Sequence, residues 1–193
     1  MYAIYMTSIT HQLVALLAAF WLLLLYPQST GWVVGVCSLM AVMIGALTPD
    51  LDQPAANLWR RMLGGRAVGW VTNFLSGGHR HFTHSLLGIA VIGYLLWLGI
   101  HHFFQPQYVE NLLIIWRAFM IGYISHPIAD TLTDRGVPWL WPINWNIKIP
   151  PGPEQVRVTT ESFVETIFVR GGLLMALGFL LSGHWHILLD FFR

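Results

Sequence analysis

The histidines and carboxylates of this chain are unevenly spread. There are 9 His and 9 Asp or Glu in 193 residues, and many fall into short clusters between long apolar runs. Thr10-His11 opens the first run. TPDLD carries Asp50 and Asp52, HRHFTH carries His79, Arg80, His81 and His84, and SHPIAD carries His126 and Asp130. Glu161 and Glu165 stand at the start of the last run. His126 and Asp130 are four residues apart, so a helix projects both from one face. His81 and His84 share a face by the same reasoning, if their segment is helical. Imidazole and carboxylate donors without thiolates suit zinc, manganese or iron. The single cysteine, Cys37, lies in an apolar run and is expected to be a small buried apolar residue.

The elements that must position these groups are membrane helices. The chain is 55% hydrophobic and 10% charged, with a mean hydropathy of +0.59. Soluble domains carry about 25% charged residues. The composition therefore predicts an all-α integral membrane protein, one membrane-embedded domain over residues 1–193. A span needs about 20 mostly apolar residues. Five runs approach that length: 9–26, 32–47, 84–104, 110–130 and 163–182. Pro27 and Pro49 close the first two, because the residue before proline resists the helical conformation. The N-terminal stretch lacks the basic region of a cleavable signal, so the first run is expected to remain a helix.

Between the second and third runs, NLWRRMLGGRAVGWVTNFLSGG mixes arginines with Trp59, Trp70 and Phe74. This predicts an amphipathic segment on the membrane surface. After the fourth run, INWNIKI and QVRVTT alternate in the manner of strands around PPGP, which predicts a small hairpin. HWHILLDFFR reads as a short interfacial helix. Alternating the loops puts His11, Asp50, Asp52, His84, His126, Asp130, Glu161 and Glu165 at one membrane side. The same side holds Arg60, Arg61, Arg66, Arg80, Arg135, Lys148 and Arg157, and the other side holds Arg193. The positive-inside rule then makes the cluster side cytoplasmic. Arg117 and Arg170 fall inside spans and must snorkel or pair. His101, His102, His184 and His186 lie at the opposite side and read as interfacial residues.

Ionisable groups in membrane segments are costly and usually functional. Asp50, Asp52, Asp130 and Glu161 would together balance two divalent ions, whereas Arg80 is an alternative partner for one carboxylate. The reading is a dinuclear centre, with two Zn expected and Mn or Fe as alternatives. Paired metals suit phosphoester hydrolysis.

TPDLD, HR-x-F-THSLLG and GYISHPIADTLT-x-x-GVPWLWP, in this order, resemble the YdjM-type family, described as LexA-regulated, membrane-bound, metal-dependent hydrolases. That family has been likened to zinc-dependent phospholipase C. The resemblance covers about residues 11–161. It implies a prokaryotic inner-membrane location, a link to the SOS stress response and a site made of His11, Asp50, Asp52, His79, Arg80, Thr83, His84, His126 and Asp130. Glu161 is implied at the acidic position after the hairpin, with Glu165 as its competitor. The family usually has glycine where this chain has His81, so the resemblance favours His79 and His84 as ligands over His81. Asp134 likewise replaces a common proline. The expectation is a hydrolase for a lipid or lipid-linked phosphate. Arg80 would clamp a phosphoryl oxygen, and Asp50 or Asp130 would serve as general base. No nucleic-acid partner is expected. An amide or peptide hydrolase would want H-E-x-x-H, which the sequence lacks. A non-enzymatic protein with a structural metal is the other alternative.

Overall fold

The computed structural model describes residues 8–53, 59, 65–75, 77, 80–152 and 162–193. It is helical, as the composition requires. The helices are α1 (Ser8–Leu25), α2 (Trp32–Leu47), α3 (Gly65–Leu75), α4 (Leu86–Phe103), α5 (Pro106–Thr131) and α6 (Arg170–Phe191). A π-helical turn, Val164–Val169, leads into α6. Four segments are long and apolar enough to cross a membrane: α1, α4, α5 and Val164–Phe191. The fifth expected span, α2, is a 16-residue apolar helix. Large apolar side chains such as Trp21, Met40, Leu95 and Phe179 stand exposed along the helices, as lipid-facing residues should.

α5 is the central helix. It packs on α2, α1 and α4. Its contact with α2 is made of small residues: Ala41, Gly45 and Ala46 on α2 face Ala118 and Gly122 on α5. A carbon added at Gly122 would run into the Val42 carbonyl oxygen, and one added at Gly45 into the Phe119 carbonyl oxygen. In a bilayer, apolar burial gives little drive for helices to associate, so close backbone approach through such residues carries much of the packing.

Several expected boundaries shift for local reasons. α4 begins later than expected, because Ser85 caps it by accepting from the Gly88 amide at 3.0 Å. Thr83 lies just before it in a 3-10 turn, Phe82–His84. α6 runs through most of the tail expected to be a separate interfacial helix, and the break between them is reduced to one non-helical residue, His184. The expected amphipathic segment contains α3, whose Trp70, Val71 and Phe74 are exposed. Trp59 is buried and donates to the Leu51 carbonyl at 2.8 Å.

The hairpin departs most from expectation. Ile147 pairs with Val137 as one antiparallel bridge, and QVRVTT lies outside the described residues. Among the described residues no strand forms. Pro138, Pro142 and Pro150 punctuate the loop and cannot donate to a ladder. Instead the loop is pinned to the helices: Leu86 donates to the Trp139 carbonyl at 3.0 Å, and the Trp139 indole donates to Thr131 Oγ1 at 2.8 Å.

The α2–α5 contact yields a direct test. Gly122→Val should destabilise the protein by about 1–3 kcal/mol through overpacking, seen as a lower thermal midpoint in detergent. Gly178→Val on α6 is the control, because its added carbon meets nothing within 4 Å. Equal midpoints for the two variants would contradict the packing described.

Candidate metal centre

Four separate segments deliver polar side chains to one end of the bundle. α1 brings Thr10 and His11 in its first turn. α2 ends at Leu47, and Pro49–Asp52 follows as a 3-10 turn. Such a turn has about three residues per revolution, so Asp50 and Asp52 diverge by about 120°. Asp50 faces His126, with Oδ1 3.5 Å from Nε2. Asp52 faces the other way and accepts from Thr83 Oγ1 at 2.6 Å and from the Arg80 amide at 3.2 Å. The segment at 80–84 brings Arg80 and His84, and the last turns of α5 bring His126 and Asp130.

His11, Asp52, His84, His126 and Asp130 are buried, while the Asp50 side chain is 21% exposed. Asp50 is therefore the accessible member of the cluster. The His11 and His126 rings stack with centroids 3.6 Å apart, and His84 meets His126 edge-on at 5.1 Å. Asp130 lies 3.4 Å from His11 Nε2 and 3.7 Å from Nε2 of both His84 and His126. Two overlapping groups have the geometry to hold a metal ion: His11, Asp50 and His126, and His84, His126 and Asp130.

The donor chemistry fits a cation. His126 Nδ1 lies 2.7 Å from the Ala46 carbonyl oxygen. A carbonyl can only accept, so Nδ1 carries the hydrogen. In neutral imidazole that leaves Nε2 with a lone pair. Nε2 is buried, makes no hydrogen bond among the described residues and faces the Asp50 and Asp130 carboxylates. A lone pair opposite two carboxylates repels unless a proton or a metal ion stands between them. A histidine held by its other nitrogen on a backbone carbonyl is also a usual arrangement for a metal ligand.

The carboxylates are otherwise well supported. Burial alone would raise the Asp50 pKa, but the positive charge of His126, then of His11 and His84, in their protonated forms holds it well below the usual carboxylate range. Arg80 Nη2 pairs with Asp130 Oδ2 at 2.8 Å, and its Nη1 reaches Thr133 Oγ1 and the Gly136 carbonyl, each at 3.4 Å. Arg80 adopts a positive φ of 62°, a conformation that costs a side-chain-bearing residue energy and occurs most often at functional sites. The strained turn sends its amide to Asp52 and its guanidinium to Asp130.

His79 and Glu161, two of the expected ligands, lie outside the described residues. His81 belongs to neither metal-compatible group; its segment is not α-helical, so the face it was expected to share with His84 does not exist. Glu165 is fully buried in the π-helical turn. It accepts from Thr10 Oγ1 at 2.6 Å, Arg170 Nε donates to the same Thr10 oxygen at 3.1 Å, and Arg170 Nη2 lies 3.8 Å from the carboxylate. Arg170 therefore pairs within its span. The sequence signal for this support was a glutamate and an arginine in one apolar run. The Ala46 carbonyl left no sequence signal, because any residue would supply it.

Removing one member of the buried Arg80–Asp130 pair should strand the other. Arg80→Met is expected to cost about 3–5 kcal/mol in metal-free protein. Arg80→Met with Asp130→Asn should recover part of that loss, which a double-mutant cycle of chemical unfolding in detergent measures. Additive losses would show that the two groups do not depend on each other.

The sequence is similar to those of known inner-membrane proteins. The inner membrane protein YdjM of Escherichia coli strain K12 is 32% identical over 127 residues, which cover 64% of this chain and 59% of that protein. YvsG of Bacillus subtilis strain 168 is 29% identical over 130 residues, 66% of this chain and 68% of its own. The inner membrane protein YbcI of Escherichia coli strain K12 is 32% identical over 107 residues, 54% of this chain and 53% of its own. No solved structure matches the chain. The family model described as YdjM inner membrane protein matches residues 6–193, nearly the whole sequence, and the chain belongs to that family.

Proposed function

We propose that this protein is a membrane-bound metal-dependent hydrolase that cleaves a phosphoester of a lipid or lipid-linked substrate at the cytoplasmic leaflet. The observation that carries the reading is His126: its Nδ1 is fixed on the Ala46 carbonyl, and its Nε2 faces Asp50 and Asp130 with no hydrogen-bond partner among the described residues. His11, Asp50, His84, His126 and Asp130 are the ligands. Asp52 acts behind them: Thr83 donates to it and also lies 3.0 Å from His84 Nδ1. Zinc is the metal that best suits three imidazoles with carboxylates, and Mn and Fe share the donor preference. Asp50, Asp52 and Asp130 set against Arg80 leave two negative charges, which one divalent ion balances. A second ion would draw on His79 and Glu161.

A bound divalent ion would supply Lewis acidity toward a phosphoryl oxygen and toward water. The residues of the chain do the rest. Asp50, the accessible carboxylate, takes the proton from the attacking water as its oxygen bonds to phosphorus; the ester P–O bond breaks and the departing alkoxide oxygen takes a proton from solvent, so that an alcohol and a phosphate leave. Arg80 places a fixed positive charge beside Asp130, within the cluster that receives the phosphoryl group. Asp50 is partly exposed at one end of the bundle, and the ends of membrane-spanning helices are where a lipid would present its phosphate. The arginine-rich segments on that side support its cytoplasmic orientation. The LexA-linked stress role belongs to the same proposal through the family likeness.

Metal analysis of the purified protein should find a transition metal that Asp50→Asn and His126→Ala each largely lose; retention in both would remove the centre. With metal bound, release of phosphate from a panel of lipid phosphates tests the reaction. Bound metal with no turnover of any phosphoester would favour a structural ion.

Orientation has its own measurement. A cysteine at Asn57 in a Cys37→Ser background should resist an impermeant thiol reagent in intact cells and react once they are opened. Ready labelling of intact cells would invert the topology.

A further inference from the structure

Away from the His/Asp cluster, the bundle encloses a second feature. A cavity of about 750 Å³ lies among α1, α2, α5 and α6 and reaches the opposite end of the bundle at Tyr26, Gln28 and Phe191. Its walls are overwhelmingly apolar, and its volume falls within the roughly 300–1,000 Å³ of small-molecule sites. Arg117 and Ser38 are two polar residues in its wall.

Arg117 sits on α5 about 16 Å along the axis from the Pro106 end and about 21 Å from the Thr131 end, at 1.5 Å per residue. That is too deep for its side chain to snorkel easily to either surface. Among the described residues it forms no ion pair or hydrogen bond, whereas the other intramembrane arginine, Arg170, is paired with Glu165. Ser38 is 3% exposed, and its Oγ has no hydrogen-bond partner among the described residues. A permanent cation in hydrocarbon requires an anion or water. Here it lines an apolar cavity whose rim residues Leu22, Leu39 and Tyr26 are exposed, so an amphiphile can enter from the lipid.

We propose that this cavity binds an anionic amphiphile, with its carboxylate or phosphate on the Arg117 guanidinium, its remaining polar atoms within reach of Ser38, and its chain along the apolar wall. The site goes beyond the hydrolase reading and does not depend on it, since Arg117 lies about 13 Å along α5 from His126. Charge complementarity selects the occupant: a neutral lipid would fill the cavity but leave Arg117 uncompensated.

The full-length protein in phosphatidylcholine nanodiscs would be titrated with palmitate, lysophosphatidate and the neutral monopalmitoyl glycerol, with binding read by native mass spectrometry. The anions should bind saturably and at least about tenfold more tightly than the neutral analogue, a difference worth one decade in Kd. Arg117→Gln should abolish that preference and Arg117→Lys should keep most of it. Both variants should keep the metal content of the unaltered protein, which separates this site from the His/Asp centre. A stronger response to palmitate or to lysophosphatidate assigns the headgroup, and either upholds the proposal. Equal binding of anion and neutral analogue, an unchanged preference in Arg117→Gln, or an Arg117-dependent dimer that excludes lipid would overturn it.

Discussion

The contact on which the site depends is the one between His126 and the Ala46 carbonyl, 2.7 Å long. It requires two helix backbones to run close together, which larger side chains at the crossing would prevent. Gly45 and Gly122 permit the approach, and the reward is an imidazole whose tautomer and direction are fixed. From there the cluster follows. Asp50 and Asp130 face the free edge of the ring, and His11 stacks on its face at 3.6 Å. The packing of the bundle and the chemistry of the site are thus one constraint: loosening the α2–α5 contact would also unfix the ligand.

Burying three carboxylates imposes the second constraint, and each is met differently. Asp130 has Arg80, Asp52 has a hydroxyl and a backbone amide, and Asp50 has the imidazoles and partial access to the surface. A left-handed residue is an expensive way to point one amide and one guanidinium at two carboxylates. The arrangement makes sense if the carboxylates themselves must be held apart and aimed. A simpler hydrophobic plug would have closed this end of the bundle at lower cost.

Much of this was legible in the sequence, because membrane helices announce themselves by apolar length and buried ionisable groups stand out against them. The five apolar runs and the convergence of His11, Asp50, Asp52, His84, His126 and Asp130 at one end follow from alternating the loops. The 80–84 turn was less legible. Spacing treated His81 and His84 as helical neighbours, but Thr83 is drawn to Asp52, which lies 31 residues away in sequence, and the helix starts only at Leu86, after its cap Ser85. Periodicity reports local preference and is silent about a distant carboxylate. The loop after α5 misled for a related reason: alternation suggested two strands, while its indole and carbonyl groups are spent on Thr131 and Leu86.

The two intramembrane arginines show how far a sequence argument can reach. Both had to snorkel or pair, and what sets Arg170 apart in sequence is Glu165, five residues before it in the same apolar run. Arg170 resolves through Thr10 and Glu165 on a π-helical turn, a local widening that brings the carboxylate of one turn against the guanidinium of the next. That network braces α6 against the start of α1, next to His11. Arg117 has no such brace among the described residues and faces an apolar cavity instead. A membrane protein that neutralises one intramembrane arginine with its own glutamate, and leaves another without a counter-ion among the described residues, has divided the same electrostatic problem between its fold and its surroundings. On the proposal made above, the counter-charge for the second comes from the lipid phase, which would link the cavity of the bundle to the composition of the membrane around it.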